Sequence, residues 1–391
     1  MAKTAGSVKS SKAAKIGHVG QKVGRKDGPR LLLGTRKGVF VFTRRTKGWK
    51  LAHHAHSGNP IPYVFHDTRT DSTWCSIDHG HWGQKLARSR DGGATFEAVA
   101  EPKYPDGAEI KPGKPATLRY LWCLAPGHAS EPNTIYIGTE PGALFATRDD
   151  GASFELVEGL WNHPSRHEQW FGGGRDEPGI HSILVDPRDA RRMLVAISTA
   201  GVFETQDGGA NWVPRNRGLE AHFLPDPTVE VGHDVHAIQW CARKPDVVWQ
   251  QNHCGIFRST DGTASWKAVH EREKKGRRRL AFFGFPIAAD AEDPKVAWIV
   301  PAEGDQRRQA IDGALRVMRT EDGGQSWIDL RHGLPDELAF DVVYRHALDV
   351  QGEDLAFGST TGNLYWSEDR GDSWKELGHN LPPIYCVRFA P

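Results

Sequence analysis

The sequence predicts an all-β protein, a seven-bladed β-propeller whose first blade is completed by the C-terminal strand. Three observations lead to this prediction. A short turn motif recurs six times, short apolar strands flank every copy, and the chain ends in a strand that belongs to no unit of its own. The 43 glycines and 14 tryptophans fit many short strands joined by tight turns.

The turn motif has the pattern Ser/Thr-x-Asp-x-Gly-x-Ser/Thr/Asn-aromatic. Its copies begin at Ser89, Thr147, Thr205, Ser259, Thr320 and Ser367, and the fourth of them has Thr263 in place of the glycine. We expect the aspartate to accept hydrogen bonds from backbone N–H groups, the glycine to adopt a positive φ, and the ring to pack between sheets. Because six near-identical copies cannot share one active site, the motif predicts structure rather than function.

Each copy connects the last two strands of a four-stranded unit. The unit around the third copy is the clearest, with strands at 180–187, 192–197, 201–205 and 211–214. Successive copies begin 58, 58, 54, 61 and 47 residues apart. Four-stranded units that recur at these intervals are typical of propeller blades.

A seventh unit precedes the first copy of the motif. Residues 30–42 supply two strands and the segment from Gly48 supplies a third, but an innermost strand is missing. Residues 384–391 have the pattern of an innermost strand without a blade. We therefore predict that the last eight residues complete the first blade, which removes free sheet edges.

The first thirty residues differ in composition from the rest of the chain. They hold eight lysines and arginines and a single acid, Asp27, and they contain no apolar segment typical of a signal peptide. We predict a disordered basic tail at 1–30, followed by the propeller at 31–391.

Charge and cysteine content exclude several classes of function. The net charge of +1 predicts no specific nucleic-acid binding, and the absence of an 18-residue apolar run predicts no membrane span. The five cysteines are scattered and odd in number, which indicates free thiols and a reducing, cytoplasmic location.

Residues with catalytic or ligand-binding side chains lie mostly on the face opposite the repeated turns, where the funnel of a propeller opens. Aligning the innermost strands places His181 and His236 at one height on neighbouring blades. Equivalent positions are expected to hold Tyr120, Phe285 and Tyr385. Imidazoles with a carboxylate suit zinc, manganese or iron. The candidate metal ligands are His181, His233, His236 and His253, with a carboxylate from Glu140, Glu177 or Glu303.

The same groups suit acid–base catalysis without a metal, and inner-strand histidines also serve simply as hydrogen-bond partners of the backbone. The candidate catalytic residues are His181, His236, Glu177 and Glu303. Aromatic rings would stack on a sugar, and arginines would bind a carboxylate or phosphate. The candidate substrate-binding residues are Arg36, Trp82, Glu140, Trp170, Arg175, Arg345 and Tyr385.

The turn motif resembles the Asp-box, and the chain resembles the Asp-box (BNR-repeat) β-propellers. Residues 34–38, 216–219, 230–233 and 358–362 are also similar to bacterial proteins described as BNR-repeat or exo-α-sialidase-like glycosyl hydrolases. The resemblance implies a glycosyl-hydrolase-like propeller. Because the Arg-Ile-Pro motif of true sialidases is absent, it does not imply sialidase activity itself.

Two functions are compatible with the sequence. The first is a hydrolase or lyase, with or without a divalent metal, acting on a small polar or carbohydrate-derived substrate in the funnel. The second is a non-catalytic propeller that binds a protein or peptide on the same face. A deep funnel with convergent histidines and carboxylates would favour the enzyme.

Overall fold

The computed structural model of the protein describes residues 28–269 and 282–391. In this part the chain forms seven four-stranded antiparallel sheets and one two-stranded sheet. The four-stranded sheets are the blades of a propeller, which confirms the predicted fold class. Of the predicted basic tail, residues 1–27 lie outside the described residues.

In blades 2 to 7 the strands follow one another from innermost to outermost. The first three blades and a hairpin between blades 2 and 3 comprise β1 (Arg30–Thr35), β2 (Gly38–Arg45), β3 (Gly48–Ala55), β4 (Tyr63–Asp67), β5 (Ser72–His79), β6 (Gly83–Ser89), β7 (Glu97–Ala98), β8 (Glu109–Lys111), β9 (Lys114–Pro115), β10 (Tyr120–Pro126), β11 (Ile135–Glu140), β12 (Leu144–Thr147) and β13 (Glu155–Leu156). Two short helices follow, α1 (Glu158–Trp161) and α2 (Arg166–Gln169).

The remaining blades continue the same order. Their strands are β14 (Ile180–Val185), β15 (Met193–Ile197), β16 (Gly201–Thr205), β17 (Val213–Pro214), β18 (Val235–Cys241), β19 (Lys244–Asn252), β20 (Gly255–Ser259), β21 (Lys267–Ala268), β22 (Gly284–Ala289), β23 (Ala297–Pro301), β24 (Val317–Thr320), β25 (Ile328–Leu330), β26 (Leu348–Gln351), β27 (Asp354–Gly358), β28 (Leu364–Ser367), β29 (Lys375–Gly378) and β30 (Ile384–Ala390). A 3₁₀ turn at Ile311–Gly313 precedes β24.

The C-terminal strand closes the ring. β30 pairs antiparallel with β1 from Arg30 opposite Ala390 to Thr35 opposite Ile384, and the first sheet has the order β3-β2-β1-β30. The side chains of Leu31, Leu32 and Leu33 are fully buried beneath this pairing. The predicted completion of the first blade is confirmed.

The repeated turns are held by hydrogen bonds to their aspartates. In the first copy, Asp91 accepts bonds from the Thr95 backbone N–H at 2.9 Å, from the Thr95 hydroxyl at 2.6 Å and from the Ser89 hydroxyl at 2.7 Å. Gly93 has a φ of 93°, and a Cβ there would lie 2.7 Å from Val41 of the neighbouring blade. The aspartate therefore organises its own turn, as the sequence predicts.

Replacing Asp91 with alanine is expected to lower the free energy of unfolding by about 1 kcal/mol, because three donors of an exposed turn lose their acceptor. Asp91→Asn keeps one carbonyl oxygen and should recover part of the loss. Urea denaturation followed by circular dichroism measures both variants. Equal stability of Asp91→Ala and the unsubstituted protein would contradict this role.

Five of the seven innermost strands each contain a β-bulge near the mouth of the funnel. In these five blades, the register between the innermost strand and the next strand shifts near this end. One or two residues of the innermost strand then have no pairing partner. A bulge turns the extra residue away from the ladder and re-aims its side chain. The residues involved are Trp122, His181, His236, Phe285 with Pro286, and Tyr385.

The core lies between the blades. Among the described residues, its largest fully buried side chains include Trp74, Trp249 and Trp298. All five cysteines are free thiols. Neither short helix, nor any other helix of the described residues, has the length and apolarity needed to cross a membrane.

Candidate functional site

A cavity of about 840 Å³ lies at the mouth of the funnel, and all seven blades line it. Turns between second and third strands, such as those at Ser198 and His253, line the cavity together with the loops that enter the blades. The repeated aspartate turns connect third and fourth strands and so lie at the opposite end of each blade. The cavity is therefore on the face where the sequence predicts function.

Three kinds of side chain line the cavity. Its aromatic walls are formed by Tyr120, Trp122, Phe171, Phe223, Phe283, Phe285, Tyr344 and Tyr385. Its cationic groups are Arg36, Arg175, Arg308 and Arg345, and its carboxylates are Asp78, Asp234 and Asp305. A pocket with flat apolar walls and convergent charges is suited to a ring-shaped polar ligand.

Arg345 extends its guanidinium group between two aromatic rings on the cavity wall. The group lies 5.3 Å from the ring centroid of Trp122 and 5.3 Å from that of Phe285. Its Nε is buried and has no hydrogen-bond acceptor within residues 28–269 and 282–391. Burial lowers the pKa of Arg345 to about 10, so the group stays charged at neutral pH. Arg345 therefore lines the cavity as a cation without a full set of hydrogen-bond acceptors, and it can interact with a ligand there.

Arg175 is held differently. It forms an ion pair with the buried carboxylate of Glu140 and lies 4.8 Å from the ring centroid of Tyr120. Burial raises the pKa of Glu140, and the nearby Arg175 opposes that rise. Glu140 itself does not line the cavity, so it acts here as the group that positions Arg175.

Asp234, His236 and His253 form a compact cluster on the wall of blade 5. Asp234 Oδ2 lies 3.4 Å from Nε2 of His236 and 3.4 Å from Nδ1 of His253. The backbone N–H of His253 donates to the carbonyl oxygen of Asp234 at 2.9 Å, which ties the two strand ends together. The paired strand ends therefore hold the three residues next to one another. The sequence predicted two of them, His236 and His253.

Burial and charge set the protonation states of the cluster. Burial lowers the pKa of His236 more than the neighbouring Asp234 raises it. Burial favours the neutral form of Asp234, but His236, His253 and Arg345 outweigh it and hold the pKa of Asp234 well below its usual range. At neutral pH the cluster thus combines an ionised carboxylate with a neutral imidazole, a set suited to proton transfer or metal ligation.

His181 occupies the same bulge position on β14 as His236 does on β18, but its side chain lines a different cavity. It is buried, does not line the mouth cavity, and instead lines a second cavity of about 240 Å³ together with His346. His346 borders both cavities and its Nε2 donates to the carbonyl oxygen of His181 at 2.7 Å. The structure therefore places His181 at the second cavity and does not place it among the residues that line the mouth cavity.

Several other predicted site residues lie away from the cavity. His233 is buried and its Nε2 contacts the carbonyl oxygen of Val229 at 2.6 Å, so it does not join His236 and His253. Glu177 pairs with Lys114, and Glu303 contacts Arg307 at 2.9 Å. Neither glutamate lines the mouth cavity.

The two predicted tryptophans also lie outside it. Trp82 is 68% exposed at the tip of a turn, and Trp170 is 1% exposed. Trp170 donates from its indole N–H to the Ser165 hydroxyl at 3.0 Å and packs against Phe203. The predicted residues that do line the cavity are Arg36, Arg175, His236, His253, Arg345 and Tyr385.

Three residues that line the cavity were not among the candidates predicted from the sequence, and these are Asp234, Trp122 and Arg308. Asp234 precedes His236 by two residues, a spacing that puts two side chains on one face of an extended strand, and this signal could have found it. Trp122 takes the funnel position that was expected for Tyr120, because the bulge of β10 falls at Trp122. Nothing in the sequence pattern distinguishes Arg308 from the neighbouring loop arginine.

No family model matches the chain. Over 225 residues it is 25% identical to the oligoxyloglucan-reducing end-specific xyloglucanase of Emericella nidulans, a match that covers 52% of this chain and 24% of that enzyme. The chain therefore spans about a quarter of the length of this curated relative. The similarity relates the chain to a glycoside hydrolase over a limited part of that enzyme.

Solved structures of other propellers are similar in fold. An ancestral GH74 enzyme superposes with a TM-score of 0.54 and 15% identity, covering 84% of this chain and 38% of that one. A YCF48 structure bound to D1 peptide gives 0.51 and 15%, covering 90% and 84%. A putative 6-phosphogluconolactonase from Bacteroides uniformis gives 0.55 and 10%, covering 93% and 100%. At these identities the likeness shows the fold alone.

Proposed function

We propose that the mouth cavity binds a small anionic, carbohydrate-derived molecule and cleaves it by hydrolysis or elimination. The similarity to a xyloglucanase supports a carbohydrate ligand. The observation that carries the proposal is Arg345, a half-buried cation between two aromatic rings whose buried Nε has no acceptor in the described residues. An anionic group on the ligand would satisfy it.

The aromatic walls support a sugar as the body of that ligand. Trp122 and Phe285 flank Arg345, and Tyr344 and Tyr385 continue the wall towards blade 1. Ring faces stack on the apolar faces of pyranose rings, while a neighbouring arginine binds a carboxylate. A uronic acid joins both features in one molecule.

The cluster of Asp234, His236 and His253 supplies the reactive groups. It lies on the same cavity as Arg345, and Asp234 and Arg345 interact electrostatically. A substrate whose carboxylate binds Arg345 would therefore bring the neighbouring bond towards two imidazoles and a carboxylate. Neutralising a carboxylate also makes the adjacent C–H easier to deprotonate, which would favour elimination.

The test compares oligogalacturonates with their methyl esters, which keep the sugar ring and lose the charge. Xyloglucan oligosaccharides serve as a neutral probe. Calorimetry measures binding, new reducing ends report hydrolysis, and the ultraviolet absorbance of a new double bond reports elimination. We expect binding and cleavage of the acids. Equal affinity for acid and ester, or no binding of either, would refute the proposal.

Arg345→Met is expected to weaken binding of the acid on the order of 100-fold, because a charge-assisted hydrogen bond in a desolvated site is lost. The affinity for the methyl ester should change little. Arg331→Met is the matched control, since Arg331 pairs at the surface with Asp336 at 2.9 Å. A similar loss in both variants, or none in Arg345→Met, would contradict the role of Arg345.

A peptide-binding propeller is the second candidate. Leu338 and Phe340 are 80% and 59% exposed on the loop that leads to Arg345, and a structurally similar propeller is bound to D1 peptide. Under this alternative, Leu338→Ser with Phe340→Ser would reduce binding to a peptide array, while oligogalacturonate would not bind.

A further inference from the structure

We infer that Asp234, His236 and His253 hold a divalent transition-metal ion on the wall of the mouth cavity. One nitrogen of each histidine and one carboxylate oxygen of Asp234 lie within 4.8 Å of one another. Two imidazoles and one carboxylate are a ligand set typical of catalytic zinc sites and of iron and manganese sites.

Two of the three distances within the cluster fit a single ion. Asp234 Oδ2 is 3.4 Å from His236 Nε2 and 3.4 Å from His253 Nδ1. Bonds of about 2.0–2.1 Å to a tetrahedral ion place two ligand atoms roughly 3.4 Å apart. Both separations are longer than a typical direct hydrogen bond of about 2.7–3.2 Å.

The tautomer of His236 is an independent observation. Its Nδ1 lies 2.6 Å from the carbonyl oxygen of Gly284, and a carbonyl oxygen can only accept, so Nδ1 carries the proton. In the neutral ring, Nε2 then presents a lone pair to the oxygen of Asp234. A divalent cation between the two atoms would satisfy both acceptors.

The same hydrogen bond is the kind of support that metal-bound histidines have. A histidine ligand almost always donates its second ring N–H to a carbonyl oxygen or carboxylate, which fixes the ring orientation. For His253, the second ring nitrogen faces Asp305, whose Oδ2 lies 3.9 Å from Nε2.

The surroundings leave one side of the cluster open. Phe285 stacks on His236 at 4.9 Å, and Phe283 and Phe223 meet His253 edge-on at 5.5 and 5.4 Å. The remaining side is the cavity itself. Three protein ligands with an open position are the arrangement of a catalytic metal site, whereas structural sites are closed by a fourth ligand.

This inference deepens the proposed function and rests on it only for the role of the ion. A substrate anion bound by Arg345 would lie beside the open position, where the ion would polarise an oxygen of the substrate or activate water. The binding of the ion itself requires no substrate.

The experiment is titration of chelator-treated protein with Zn²⁺, Mn²⁺ or Co²⁺ by calorimetry, with elemental analysis after dialysis. We expect one equivalent of at least one of these ions, and a visible Co²⁺ spectrum typical of nitrogen and oxygen ligands. His236→Ala and His253→Ala should each weaken binding at least about 100-fold. Asp234→Asn keeps the shape of the site and should weaken binding less.

His222→Ala is the matched control, because His222 also faces a carboxylate, Glu220, at 3.4 Å but lies on the surface. Its affinity for the ion should be unchanged. Absence of saturable binding, or equal weakening by His222→Ala and His236→Ala, would overturn the inference. Cleavage of oligogalacturonate by metal-free protein would overturn the catalytic role of the ion while leaving the proposed function intact. A bound ion without any cleavage would uphold the site and refute the function.

Discussion

Deleting residues 384–391 is expected to yield a chain that does not fold. The deletion removes β30, whose residues Ile384, Cys386, Val387 and Ala390 are fully buried. Burial of one Val or Ile side chain contributes about 1.5–3 kcal/mol, and the six backbone pairings with β1 are lost as well. A domain is typically stable by only about 5–15 kcal/mol, so this loss is comparable to the whole.

The deletion also exposes the edge of the neighbouring strand β1. Without β30, β1 presents a long apolar edge at which another chain can pair, which favours aggregation. The soluble fraction after expression and the circular dichroism spectrum measure the effect. Deletion of residues 1–27 is the control and should leave both unchanged. A truncated protein that unfolds at the temperature of the full chain would show that ring closure contributes little.

The second expected result is a steep loss of stability below about pH 6.5, caused by two buried histidines on the axis. Burial lowers the pKa of His346 to about 3 and holds that of His181 well below its usual range. The charged neighbours Arg345 and Arg388 act in the same direction. Both imidazoles are therefore neutral in the folded protein at neutral pH.

The direction of the effect follows from the protons that each state binds. Between the unfolded pKa of about 6.5 and the lower folded values, the unfolded chain binds protons that the folded chain does not. Stability is thus fully present above pH 6.5 and decreases as the pH falls towards 3. For two such histidines the loss by pH 5 is roughly 4 kcal/mol.

Urea denaturation at several pH values measures this slope. The double variant His181→Leu/His346→Gln removes both titrating rings, and the glutamine keeps a donor for the His181-position carbonyl, so its slope should be shallower. His379→Gln, which changes an exposed histidine, should leave the slope unchanged. An identical slope in the double variant would assign the acid sensitivity to other groups.

The fold could be predicted from the sequence because its signal is local and repeated. Each aspartate turn, such as the one at Asp91, is completed by residues within four positions of the aspartate. Ring closure was predictable for a different reason, since residues 384–391 form an unmatched strand and the first unit lacks one. These features need no knowledge of side-chain packing.

The site was predictable only in part because it depends on register between blades. His236 and His253 meet as expected, but the side chain of His181 lines the second cavity and His233 contacts Val229. No pattern in the sequence indicates the bulge that places Trp122 in the funnel. Trp170 was predicted in the cavity from its place on the long loop that enters blade 4, whereas its indole packs in the core beside Phe203.

The bulges of the innermost strands also bear on how such a protein can change over evolutionary time. At Trp122, His181, His236 and Tyr385 the side chain stands at the axis, while the residues on either side continue the ladder with the next strand. Substitution at these four places alters the lining of the mouth cavity or of the second cavity without removing a strand pairing. Selection can therefore explore new ligands at these positions largely independently of the scaffold, which would let one ring diversify into many specificities.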